Sequence, residues 1–168
     1  MKLFGAKSNK RGNAVIDGAT LVVLFVIFGL GSIFAYMVFD QVNDDIISEF
    51  TDGTEAKTQV ENLHGNFPKL MDGLFLFAFI LFTIFVIASV FLLDTHPIFF
   101  VVSLVMLIAV FVSGMLLSNA FDDIMQDGEV ATYAESFPFT TWIMGHLVEM
   151  IVAIGFLTML ALFAKYRT

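Results

Sequence analysis

His146 and Glu149 are the residues of this chain best placed to do chemistry, two ionisable side chains inside the apolar run TTWIMGHLVEMIVAIGFLTMLALF. On a helix, residues three apart share a face. If the run is a membrane span over residues 141–163, Glu149 sits about 4–5 Å along the axis from its midpoint. An ionised carboxylate facing lipid at that depth costs of the order of 2.5–3.5 kcal/mol. The pair is therefore expected to face the bundle interior or a seam between subunits. Three uses fit: a hydrogen bond joining helices, a proton or ion path, or a metal site. A carboxylate-bridged metal pair calls for two Glu-x-x-His motifs and further glutamates. The chain has His146-x-x-Glu149 once and reversed, so no metal and no cofactor is expected.

The remaining polar residues say less. Asp122, Asp123 and Asp127 lack the spacing of a calcium loop and read as solvated acids. His64 and His96 are expected in loops, without partners. There is no cysteine, which removes disulfides, thiolate metal sites and cysteine nucleophiles. No nucleophile elbow, phosphate loop, zinc motif or dinucleotide fingerprint occurs, and no enzymatic activity is expected.

The elements that must hold these residues are membrane helices. The 168 residues are 58% hydrophobic and only 14% charged, against about 45–50% and 25% in soluble domains, and mean hydropathy is +0.89. Residues 98–118 contain no ionisable side chain, and a helix of that length covers roughly 30 Å, the hydrocarbon thickness of a bilayer. Similar runs cover about 18–39, 74–93 and 141–163. The fold class expected is an all-α membrane protein, one domain of four transmembrane helices in two antiparallel hairpins. The first run is too long for the core of a secretory signal, so a retained span is expected.

Between the spans, 40–73 and 119–140 form outer-face segments. Phe39, Val42, Ile46 and Phe50 recur at helical period among Asp40, Asp44, Asp45 and Glu49, and Phe121 and Ile124 do so beside Asp122 and Asp123. Helices one and three should thus run past the bilayer as amphipathic segments. Their apolar stripes need cover from each other or from a second subunit. A short polar helix is expected over 55–63, with Gly65-Asn66-Phe67-Pro68 as a turn. Asp94-Thr95-His96-Pro97 should make spans two and three close neighbours. Gly31-x-x-x-Ala35 and Gly114-x-x-x-Ser118 are small-residue steps suited to helix packing. The two halves share a plan (VNDDII and AFDDIM, then Phe67-Pro68 and Phe137-Pro138), as a duplicated hairpin would.

Six of the eight basic residues, Lys2, Lys7, Lys10, Arg11, Lys165 and Arg167, lie before span one and after span four, toward the two chain termini. The positive-inside rule puts both termini on the cytoplasmic-equivalent side, where these cations would anchor to the membrane surface and touch phosphate groups nonspecifically. Trp142, Phe137 and Phe139 would form an interfacial belt at the outer end of span four, and Tyr166 one at its inner end.

The segment Lys10-Arg11-Gly12-Asn13-Ala14-Val15-Ile16-Asp17 before an apolar helix resembles the start of type IV prepilins. That resemblance implies cleavage after Gly12 and a role for Asp17 in subunit assembly. It covers about a tenth of the chain, and the three further spans depart from that family. In general character the chain also resembles the small integral membrane proteins of membrane-containing virions, which implies a capsid or other shell as partner. Together these features lead to a structural membrane protein, a homo-oligomer in the lipid bilayer, that presents an acidic helical platform to its neighbours. The alternative is a small channel, transporter or lysis-type pore using His146 and Glu149.

Overall fold

The computed structural model describes residues 14–50, 53–92 and 98–167. Among them every regular element is a helix: α1 Ala14–Ser48, α2 Glu55–Leu92, α3 Ile98–Met125, α4 Gly128–Ala134, α5 Pro138–Gly145 and α6 Leu147–Arg167. At 1.5 Å per residue, α1 and α2 are each over about 50 Å long and α6 about 30 Å. Four stretches are long and apolar enough to cross a membrane: Thr20–Ser48, Glu55–Ala88, Leu107–Met125 and Leu147–Lys165. The helix pattern satisfies backbone polar groups internally, which a bilayer demands. Gly53, at φ +81°, reverses the chain between α1 and α2 at an angle that glycine adopts without strain.

The core is aromatic where α1 meets α2. Phe25 lies edge-on to Phe75 and Phe79, with ring centroids 5.9 and 6.0 Å apart, and Phe28 stacks on Phe75 at 6.1 Å. Phe75, Phe121, Met144, Leu147 and Ile151 join Val22 and Val26 in one cluster that ties α1, α2, α3, α5 and α6. A second cluster of Ile33, Val130, Ala134 and Phe137 seats α4 and the start of α5 on α1.

Several expectations fail. The turn at Gly65-Asn66-Phe67-Pro68 does not form: α2 runs through it, with Pro68 buried inside the helix. Pro68 gives no N–H to the His64 carbonyl, yet packing of Phe67 on Tyr36 and Phe39 holds the segment helical. In the fourth span, the helix over 141–163 is broken at His146, which caps α5, and α6 restarts at Leu147. Phe137 is 0% exposed and belongs to the core, not to an interfacial belt; Phe139 and Trp142 are exposed. Among the described residues, α2 packs chiefly on α1, α5 and α6, and α3 on α1, α4, α5 and α6. Spans two and three are thus not side by side there. Asp94-Thr95-His96-Pro97 itself lies outside the described residues.

Candidate functional site

The break at His146 changes the chemistry of the favoured pair. His146 Nδ1 donates to the Trp142 carbonyl at 2.8 Å, and its ring stacks on the indole at 5.0 Å. Glu149 falls in the first turn of α6 rather than near the middle of a span, where the helix dipole favours a negative charge. Both side chains are exposed on the outside of the chain. Neither is buried in the bundle interior. The bundle interior holds a cavity of about 30 Å³ lined by Phe25, Phe75, Phe79, Met144 and other apolar residues, suited to stay dry.

A better-connected polar group lies at the other end of α1. Asp40 accepts from His64 Nε2–H through Oδ1 and from the Tyr133 hydroxyl through Oδ2, both at 2.8 Å. One carboxylate therefore ties α1, α2 and α4. Tyr36 and Phe39 each approach the His64 ring at 5.4 Å, and Phe67 closes the aromatic wall behind them. The hydrogen bond to Asp40, then burial, then the charges of Asp40 and Glu129 hold the Tyr133 phenol above its ordinary value of 10.0. His64 is a helical residue with a partner, contrary to the loop expected. Its partner lies 24 positions away, on α1, across the chain reversal at Gly53.

Asp72 escaped sequence reasoning altogether. It is 3% exposed, and its two oxygens accept from Thr140 N at 2.7 Å and Phe139 N at 3.0 Å. Those N–H groups belong to the first turn of α5, whose own N-cap residue, Phe137, has no side-chain oxygen to offer. Asp72 supplies the cap from another helix. The signal was present, since a helix opening Phe-Pro must find an acceptor elsewhere.

No protein-family model, characterised protein or solved structure matches the chain. Its function must be argued from this geometry.

The small-residue steps divide. Gly114 is buried where a Cβ would run into Ile151, and Gly155, unmarked in the sequence, meets Leu107 in the same way. Ser118 is buried with Gly114. These positions let α3 and α6 approach closely. Gly31 has nothing within 4 Å of its Cβ position, and Ala35 is exposed. Of the expected assembly stripe, Phe121 is 2% exposed and sits in the chain's own core, Ile124 packs under α4, and Phe39 turns toward α2. Val42, Ile46 and Phe50 remain exposed. Lys2, Lys7, Lys10 and Arg11, and the side chains of Asp17 and Arg167, lie outside the described residues. Lys165 donates to the Phe91 carbonyl at 3.5 Å. Among the described residues no three acidic or histidine side chains gather as a metal site.

Proposed function

We propose that this chain is a non-enzymatic structural protein of a membrane, self-assembling in the bilayer and presenting an acidic helical platform to neighbours or to a protein shell such as a virion capsid. In this reading α1 with α2 and α3 with α6 make two antiparallel hairpins. The ends of α1 and α3 run beyond the lipid as amphipathic segments, and both termini lie on the cytoplasmic-equivalent side. The basic termini contact lipid or other phosphates there.

The observation that carries the reading is the division of labour along the bundle. The lower part is filled by phenylalanine, methionine and aliphatic side chains around a small apolar cavity. The upper part is fixed by Asp40 and Asp72, each bonded across helices. Exposed Asp45, Glu49, Asp122, Asp123 and Glu129 surround it. Such a body is built to hold a shape and offer a charged surface.

Reconstitution in nanodiscs, followed by native mass spectrometry, tests this. Discrete homo-oligomers are expected, and a monomer at every protein-to-lipid ratio would overturn the reading. Vesicles loaded with a pH-sensitive dye test the rival, a path using His146 and Glu149. No proton flux above protein-free vesicles is expected, and flux abolished by Glu149→Gln would establish the pore instead.

A further inference from the structure

We propose that the groove bounded by α3, α4 and α5 binds the ammonium group of an ethanolamine phospholipid. This rests on the membrane reading above but not on self-assembly.

The charge pattern of the chain leaves a cation to be supplied from outside. From Leu70 to Ala164 there is no lysine or arginine, yet that stretch contains Asp72, Asp94, Asp122, Asp123, Asp127, Glu129, Glu135 and Glu149. Asp72 is occupied by the first turn of α5, Asp127 caps α4, and Glu129 accepts from Gln41. Glu135 differs from these. Its carboxylate has no hydrogen-bond or ion-pair partner among the described residues, and it lines an open groove of about 520 Å³. Met125 at the end of α3, Ala134 at the end of α4, and Pro138, Thr141 and Trp142 on α5 complete the walls.

The polar atoms of the groove select the kind of cation. A glutamate carboxylate accepts hydrogen bonds and donates none. Thr141 Oγ1 donates to the Phe137 carbonyl at 2.7 Å and to the Ala134 carbonyl at 3.0 Å. A hydroxyl has one hydrogen, so toward the groove this oxygen only accepts. A primary ammonium brings positive charge and three N–H donors, and it answers both groups. The trimethylammonium of a choline headgroup carries the charge without an N–H, which leaves Thr141 unmatched. Trp142 adds a ring face. The indole is 54% exposed and stacks on His146 through one side, leaving the other for a cation. Met125, Ala134 and Pro138 offer apolar surface to the carbon atoms behind the headgroup.

Depth favours a lipid over a soluble amine. The candidate span on α6 begins at Leu147. Trp142 and Thr141 precede it by five and six residues, at most about 9 Å of helix rise. The polar layer of a bilayer extends roughly 5–8 Å beyond the hydrocarbon on each side, and tryptophan concentrates at that level. Headgroups are therefore the amines present where the groove opens.

Native mass spectrometry of the protein released from nanodiscs tests this, with ethanolamine and choline phospholipids of identical acyl chains in equal amounts. The ethanolamine lipid should be retained at least about fivefold over the choline lipid. Glu135→Gln removes the charge of an exposed side chain that holds nothing inside the fold. It should bring the ratio down to about one while leaving the fluorescence melt in place. Asp123→Asn removes one charge at an exposed position outside the groove and should leave the preference intact. An equal fall for the two variants would overturn the site, because the acidic surface as a whole would then be attracting the lipid. Equal retention of both lipids by the unsubstituted protein would also overturn it, and a partner protein's lysine would be the better occupant. Discrete oligomers without a lipid preference would sink the site alone, whereas failure to enter nanodiscs would sink the membrane reading with it.

Discussion

Asp72→Ala removes the acceptor for two N–H groups at the start of α5 and puts nothing in its place. Thr140 N is fully buried and Phe139 N partly so, so water can relieve only the second. Losing a capping side chain costs about 0.5–2 kcal/mol, and a buried donor left unpaired about 1–3 kcal/mol. The two ranges describe overlapping effects, and a loss of about 2–4 kcal/mol follows. For a chain of this size that lowers the thermal midpoint by about 5–12 °C. Asp72→Asn keeps one acceptor oxygen and should lose about half as much. The protein's single tryptophan, Trp142, lies on α5 itself, so its fluorescence in nanodiscs reports the affected element directly. Fluorescence melting should show α5 loosening first, with a red-shifted emission below the main transition. A midpoint for Asp72→Ala within about 1 °C of the unsubstituted protein would refute the capping argument.

Other consequences are sharper in sign than in size. Thr140 Oγ1 is buried without a hydrogen-bond partner, so Thr140→Val should be neutral or stabilising by about 1 kcal/mol in the same melt, where most buried substitutions destabilise. Gly114→Val and Gly155→Val push into Ile151 and Leu107 and should cost about 1–3 kcal/mol, whereas Gly31→Ala should gain up to about 1 kcal/mol of helix propensity in the monomer. The Tyr133 phenol is held above its ordinary value, so its contribution is complete below pH 10 and is lost as pH rises through the raised value. Ultraviolet difference titration should show tyrosine ionisation extending above the ordinary range, and Tyr133→Phe should remove the share of it that belongs to Tyr133, together with that residue's alkaline loss of stability.

The four helices long and apolar enough to cross a membrane were legible because hydrocarbon thickness imposes a length on any spanning helix, and uninterrupted apolar runs such as 98–118 have few other uses. Local punctuation was less trustworthy. Phe67-Pro68 and Phe137-Pro138 are the same dipeptide, yet Pro68 sits within a continuous helix and Pro138 opens a new one. What separates them is tertiary: Phe67 is clamped by Tyr36 and Phe39, while Asp72 waits to cap the helix that Pro138 begins. His146 and Glu149 drew attention as intramembrane ionisable residues, but a helix break beside Gly145 moved Glu149 to a helix end and both side chains to the outside. His64 and Asp72 stayed hidden because their partners lie 24 and 68 positions away, and no periodicity within a single helix encodes such pairs. The exposed stripe was half right: the sequence marks apolar positions on α1 and α3, but only a packed chain shows that Phe121 is consumed internally while Val42 is left over.

Pro68 leaves α2 with one rung missing from its backbone ladder, one turn above the helix's contact with α5. A rod bends most easily where a rung is absent. Above that turn, Asp40 fastens α2 to α1 and α4 through His64 and Tyr133. Below it, Phe75 is wedged against Phe25 and Phe28. A sideways load applied to the carboxylate-studded head would be absorbed by flexing at this joint, and the aromatic rows beneath would keep their alignment. The molecule is in that respect a stiff post with a yielding collar.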